Sequence, residues 1–300
     1  MKILCTGGLG FIGSEFVNQS YDDIIIVDKG TYAADQTRLT REVDAIYKVD
    51  ICSNEFLNIV DSYKPDILVN FAAETHVDNS IEDSSAFIQT NIFGVHNILK
   101  ACLKHKFRFV QMSTDEVYGS SDGEAFREES PIMPNNPYSA SKASADMLIR
   151  SYVRTHRINA VIIRPCNNYG YGQHPEKFIP KTINNALRGF AVPVYGSGSQ
   201  VREWIHIWDC AGAIHKILKY GTEMVYNISS GELVQNIDLA QFILNEIGRK
   251  DLLKLVEDRK GHDFMYRMNG DKTKKLSWTP TKNMKNELRE IIKKYKNNLS

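Results

Sequence analysis

Two carboxylates stand side by side in Ser113-Thr114-Asp115-Glu116-Val117-Tyr118-Gly119. Adjacent acids buried in one cleft cannot both ionise cheaply, so their surroundings must drive their pKa values apart. A neutral acid beside a charged base puts a general acid and a general base in the same cleft. Further on, Pro137-Tyr138-Ser139-Ala140-Ser141-Lys142 sets a phenol and an ammonium four residues apart at the opening of a helix, hence on one face. A cation beside a phenol lowers its pKa, which predicts Tyr138 as a base near neutral pH. Each motif alone is common, and a bare Asp-Glu pair is ordinarily a solvated turn. Together they point to coupled proton transfers.

Both motifs need elements that deliver them to one place. Phe107–Met112 reads as a short buried strand, so the acid pair falls at a strand's carboxyl end, where open parallel sheets bind ligands. The helix from Tyr138 to about His156 brings the phenol and the lysine. At the start of the chain, strand Lys2–Thr6 runs into Gly7-Gly8-Leu9-Gly10-Phe11-Ile12-Gly13, and a helical pattern continues to about Gln19. Read from Gly7, the spacing is G-x-x-G-x-x-G. It permits a tight turn and lets a pyrophosphate sit on the helix N-terminus. Strand Ile24–Asp28 ends about 20 residues on with an acid, the position that binds the ribose hydroxyls of NAD. A carboxylate there repels the extra phosphate of NADP.

A third strand, about Ala45 to Val49, ends in Asp50-Ile51, and a helix follows to Tyr63. Strand Ile67–Phe71 runs into Ala72-Ala73, small residues that let a cofactor lie close. His76 could touch substrate or serve as a structural histidine. Phe87 to Lys104 reads as a long helix. Alternating strand and helix through Ile163 predicts an α/β fold, a Rossmann-like doubly wound parallel sheet.

After Arg164-Pro165 the alternation loosens into a polar loop over 167–180 that runs into a helix. Pro193–Tyr195 is a short strand, followed by a Gly/Ser turn and Gln200-Val201-Arg202-Glu203-Trp204. Arg202 there is suited to gripping a phosphate bidentately, with a surface salt bridge as the plainer alternative. Asp209–Tyr220, Asn236–Ile247 and Met284 to about Lys296 read as helices, and Met224–Ile228 as a strand. The last helix carries Leu288, Ile291, Ile292 and Tyr295 on one face, so its lysines form a solvated side. No repeat or linker divides the chain. The expected division is a cofactor domain over 1–165, with segments around 205–230 returning to it. A smaller, interleaved α/β substrate lobe occupies most of 166–300.

Three hundred residues at net charge +1 give no bulk attraction to nucleic acid or membrane. The five cysteines are scattered, with no Cys-x-x-Cys and no His at metal-ligand spacing, so no metal site is expected. Most are flanked by apolar residues and read as small buried hydrophobes of a reduced compartment. No signal-peptide pattern and no spanning apolar run are present, which predicts a cytoplasmic protein.

These motifs carry a resemblance. Thr6-Gly-Gly-Leu-Gly-Phe-Ile-Gly-Ser14, Phe71-Ala-Ala-Glu-Thr-His-Val-Asp78, Ser113–Gly119 and Pro137–Lys142 resemble the extended short-chain dehydrogenase/reductase family, and within it the dTDP-glucose 4,6-dehydratases. Asn167-Asn-Tyr-Gly170, Gln173-His-Pro-Glu-Lys177, Gln200-Val-Arg202 and Gly261-His-Asp263 with Tyr266 extend the match over nearly the whole chain. The Thr-Asp-Glu triplet is its most specific part, since sister epimerases usually carry Ser/Thr and small residues there. The chain departs from the pattern at Asn79, where bacterial members usually have Arg, and at His206, which replaces a frequent Tyr.

The resemblance implies NAD as cofactor, held by Gly7, Gly10, Phe11, Ile12, Gly13, Asp28, Asp50, Ile51, Ala72, Ala73, Tyr138 and Lys142. It implies Thr114, Asp115, Glu116, Tyr138 and Lys142 as catalytic residues. A nucleotide sugar would meet His76, Asn168, Lys177, Arg202, Asn236 and Tyr266. A homodimer through helices Phe87–Lys104 and Tyr138–His156 is implied as well.

Overall fold

The computed structural model describes residues 1–258 and 261–298. Its strands are β1 (Lys2–Thr6), β2 (Asp23–Asp28), β3 (Ala45–Lys48), β4 (Ile67–Asn70), β5 (Arg108–Met112), β6 (Ala160–Pro165), β7 (Asn167–Tyr169), β8 (Val192–Tyr195), β9 (Val201–His206), β10 (Val225–Ile228), β11 (Leu233–Gln235) and β12 (Leu253–Val256). Seven of them form one sheet in the order β10-β6-β5-β4-β1-β2-β3. Every neighbouring pair in it is parallel. The chain winds outward from β1 to β3, then jumps back across β1 to β4. That reversal opens a crevice at the carboxyl ends of β1 and β4, the place where such sheets bind ligands.

Parallel strands covered on both faces must be apolar throughout. Ile3, Leu4 and Cys5 of β1 and Ile24 to Val27 of β2 are accordingly buried. On one face, Phe16 and Val17 of helix Phe11–Gln19 pack with Cys210, Ile214 and Ile217 of helix Ile207–Tyr220. On the other lie Phe56, Ile98, Leu99 and Ile149, from helices Asn54–Tyr63, Val95–His105 and Pro137–His156. Helix Ile207–Tyr220 and β10, which pairs with β6 from Val225↔Ile162 onward, are late segments built into this first body.

The smaller lobe carries β7, β9 and β11 in one sheet and β8 with β12 in another. Its core gathers Ile179, Ile183, Leu239, Ile243, Leu288 and Ile291 from helices Phe178–Arg188, Asn236–Ile247 and Met284–Asn297. Residues 167–180, expected as a loop, begin with β7, which pairs in parallel with β9. Three polar residues give no periodicity to read, and the pairing partner lies far along the chain.

The helix expected over Phe87–Lys104 begins at Ser85 and ends at His105, with a wide π turn at Ile88–Gly94. Within that turn the buried Asn91 exchanges hydrogen bonds with the Glu74 backbone at 2.9 and 3.0 Å and donates to Ser141 Oγ at 2.8 Å. One side chain thus ties the loop after β4 to helix Pro137–His156, the usual setting of a π turn near a functional site. All five cysteines are free, four buried and Cys52 partly exposed. No helix among the described residues is long and apolar enough to cross a membrane.

Candidate active site

β5 ends at Met112, and the chain turns into a short 3₁₀ segment, Asp115–Tyr118. Thr114 starts that turn: its Oγ1 accepts from Glu116 N at 3.3 Å and donates to Asp115 Oδ1 at 3.1 Å. Asp115 is 3% exposed, and its Oδ2 finds no partner among the described residues. Burial, then Glu116 and Glu203, push its carboxyl well above the ordinary range. Burial raises Glu116 too, but Arg202 opposes this, as does Asn136 Nδ2, 3.4 Å from Glu116 Oε2. The two acids are therefore unequal. Asp115 is the one favoured to keep a proton, and Glu116, opposite Arg202 and Asn136, the one favoured to stay charged.

Asn136 does a second job. Its side chain accepts from Ser139 N at 2.8 Å and Ser139 Oγ accepts from Asn136 N at 3.2 Å, a reciprocal cap with Pro137 at the first helical position. Tyr138 N donates to Ser80 Oγ at 3.1 Å, so the helix carrying Tyr138 and Lys142 is fixed at its start. Both side chains are buried.

The expectation of a lowered Tyr138 phenol is not met. Burial, then Glu116, push it far up, Asp115 adds to this, and only the hydrogen bond with Thr114 works the other way. Lys142 Nζ donates instead to the Met112 carbonyl at 2.6 Å, and burial brings its pKa down to about 8 against the pull of Asp146. Spacing gave the shared face correctly but carried no information on depth. Beneath the site, Arg164 is wholly buried; its Nε donates to Asp146 Oδ2 at 2.9 Å and its Nη1 to Tyr118 Oη at 2.8 Å.

Three adjoining cavities meet here. Gly7, Gly10, Asp28, Asp50, Ile51, Ala72 and Ala73 line the first. The second shares Gly7, Gly10 and Ala73 with it and runs past Phe11, Ile12 and Gly13 to Thr114, Asp115, Glu116, Tyr138, Lys142 and Asn168. The third holds His76, Arg202, Asn236 and Tyr266 and shares Glu116 and Lys177 with the second. The acid pair and the tyrosine sit where the glycine-lined groove opens into the cavity under the smaller lobe.

The groove fits a dinucleotide. Gly7 has φ +67°, and a Cβ there would lie 2.4 Å from Ala72 N; one at Gly13 would lie 2.3 Å from Gly7 O. No side chain can replace these hydrogens, which keeps the turn open for a pyrophosphate. Asp28 Oδ2 accepts from Leu9 N at 3.0 Å and Oδ1 from Gly30 N at 2.8 Å, so the carboxylate is held rigidly at the groove wall.

Under the smaller lobe, Arg202 Nη1 donates to Val201 O at 2.9 Å and Nη2 to Asp263 O at 2.9 Å, while the guanidinium stacks 4.3 Å over Tyr266. Tyr266 Oη in turn donates to Asp263 Oδ2 at 2.5 Å. The arginine is thus a fixed cation on the cavity wall rather than a loose fork. His76 caps the helix Val77–Glu82 by accepting from Asn79 N at 3.3 Å, a structural role alongside its place in the cavity. Sequence reasoning missed Asn136, Ser80 and Trp204, the last of which lines both the second and the third cavity. The Asn-Pro-x-Ser cap signature could have revealed the first; the other two reach the site only through tertiary contacts.

The pattern of the NAD dependent epimerase/dehydratase family matches residues 3–229. The chain belongs to that family. Among its family relatives, the low-salt glycan biosynthesis protein Agl12 of Haloferax volcanii is 42% identical, with 98% of each chain covered. A dTDP-glucose 4,6-dehydratase of Streptomyces niveus is 40% identical over 99% of this chain and 94% of that one. The solved dTDP-glucose 4,6-dehydratase DesIV of Streptomyces venezuelae, with NAD and dTDP bound, superposes at a TM-score of 0.94 and 37% identity, covering 99% of this chain and 98% of that one.

Proposed function

We infer that the protein is a dTDP-glucose 4,6-dehydratase, converting the sugar nucleotide to its 4-keto-6-deoxy form with NAD that ends as it began. The observation that carries this reading is the unequal pair of buried Asp115 and half-buried Glu116 beside Tyr138, at the junction of the groove and the nucleotide cavity. A 4-epimerase needs no such pair.

Bound in the groove, NAD would supply a reversible hydride acceptor, for the C4 hydrogen that is later restored at C6, and a positive charge. Tyr138 takes the proton of the sugar 4-hydroxyl, and Thr114, hydrogen-bonded to the phenol, steadies that oxygen. The 4-ketone acidifies the C5 hydrogen, which Glu116 removes. Asp115 protonates the departing 6-hydroxyl, which leaves as water, and a proton returns to C5. Lys142, four residues along the same helix and anchored on the Met112 carbonyl, is assigned the cation of the site. We assign the ribose contact to Asp28 and the diphosphate to Arg202 and Lys177, with His76, Asn168, Asn236 and Tyr266 around the sugar nucleotide. In this reading 1–165 with the segments around 205–230 hold NAD, and most of 166–300 holds the substrate. A cytoplasmic homodimer fits the exposed Ile88, Phe93 and Met147 on the two helices assigned to the contact.

The pH profile follows from the shifts. Glu116 must be ionised, and its pKa is raised, so activity falls as pH drops through a value above the ordinary glutamate range. On the alkaline side activity falls as Asp115 loses its proton and as Lys142, near 8, loses its charge. We expect a bell-shaped kcat/KM profile; an acid limb at the position of a free glutamate would contradict the burial argument.

The nucleotide is decided by comparing kcat/KM on dTDP-glucose and UDP-glucose. Gly261-His262-Asp263 resembles the dTDP-using enzymes, whereas Asn79 is closer to UDP-using relatives. A thymine methyl group is worth ~1–3 kcal/mol, about 10–200-fold, so both should react, dTDP-glucose faster. A tenfold or greater advantage for UDP-glucose, on the same scale, reverses the ranking, and product of unchanged mass from both donors removes the dehydratase reading.

A further inference from the structure

Arg38 takes no part in the chemistry above, yet three loops converge on its guanidinium. Its Nε donates to Gly172 O at 2.9 Å, and its Nη1 donates to Leu9 O at 3.1 Å and to Ala33 O at 3.0 Å. Leu9 belongs to the glycine turn and Ala33 to the loop after β2. Gly172 belongs to residues 170–177, the loop that leads from β7 into helix Phe178–Arg188. The Arg38 side chain is only 16% exposed, lies 4.0 Å from Asp35 Oδ2, and lines the same cavity as Gly7, Gly10 and Ile12.

A second strut crosses nearby. Tyr32 Oη donates to Glu176 Oε1 at 3.4 Å, and the Tyr32 ring stands edge-on to His174 at 5.0 Å. Further along, Lys177 Nζ donates to Thr75 O at 3.1 Å. The 170–177 loop is therefore fastened to the cofactor side of the groove at several points, and each fastening runs through a side chain rather than a strand ladder. Carbonyls gathered on one cation make charge-assisted bonds, the stronger kind. A reaction that leaves its cofactor unchanged gains nothing from releasing it between turnovers.

We propose that Arg38, assisted by Tyr32, straps loop 170–177 across the dinucleotide groove and sets how slowly NAD leaves. Arg38 is a positioning residue that acts through the Gly172 carbonyl. The proposal rests on the reading of the groove as the NAD site. Protein loaded with NAD is mixed with excess NADH, and exchange is followed by the fluorescence of bound NADH, alongside a thermal melt of each variant. Arg38→Ala should exchange about tenfold or more faster than the parent, the scale of lost charged hydrogen bonds. Arg38→Lys, which can reach fewer of the three carbonyls, should fall between them, and Tyr32→Phe should exchange faster by a smaller factor.

A folded Arg38→Ala that melts at lower temperature but exchanges NAD at the parental rate assigns Arg38 a purely structural role and overturns the strap. Should that variant fail to fold, parental exchange in Tyr32→Phe and Arg38→Lys overturns it equally. A parent that binds no NAD at all removes both the strap and the reading beneath it.

Discussion

Tyr138→Phe should still bind NAD and the sugar nucleotide but turn over about 10²–10⁴-fold more slowly, the range lost with a general base. The substitution removes one oxygen. The ring keeps its edge-on packing against Phe87, 6.3 Å between centroids, so the fold should not change. What disappears is the acceptor for the 4-hydroxyl proton, without which no ketone forms and neither carboxylate has an acidic C5 hydrogen to act on. The loss must therefore appear in kcat with little change in binding, and C5 must stop exchanging with solvent deuterium. A variant with parental kcat would move the first proton transfer to another group.

The acid pair should divide the later steps between its members. Asp115→Asn and Glu116→Gln are each expected to slow water loss by about 10²-fold or more. They differ in what survives. With Asp115→Asn, Glu116 can still lift and return the C5 proton, so substrate recovered from deuterated water should carry deuterium at C5. With Glu116→Gln that exchange should vanish as well. Equal exchange in both variants would contradict the assignment of base to Glu116.

Asp115 also burdens the fold. Its pKa is raised in the folded state, so folding disfavours the ionised form that the unfolded chain adopts above its own pKa, and stability declines as pH rises towards the folded value. Asp115→Asn removes that penalty. Its melting temperature should exceed the parent's at neutral pH, with the gap closing in acid, which is the trade expected at a catalytic position.

What could be read from the chain was local. The strand–turn–helix around Gly7, the acid ending β2 and the acid pair ending β5 each lie within a few residues of the feature that positions them. The Tyr138–Lys142 spacing likewise placed both side chains on one face. The phenol's raised pKa was invisible because depth is set by the whole fold: the ring is buried, and the charges of Glu116 and Asp115 add to the rise. The inequality of the two carboxylates was expected in kind, but Glu203, which helps to raise Asp115, and Asn136, which lowers Glu116, come from distant segments. The β7–β9 pairing and the Arg38 contacts to Gly172, Leu9 and Ala33 join parts of the chain that no local pattern connects.

The central claim is that oxidation at C4, loss of water across C5–C6 and reduction at C6 occur in one closed cycle. Incubating the protein with dTDP-glucose deuterated at C4, and locating the label in the product by mass spectrometry and NMR, tests it most directly. The account predicts a product lighter by one water, with the deuterium at C6 and no label in free cofactor. Deuterium retained at C4 of a product with the substrate's mass, or label accumulating in free NADH, would contradict it.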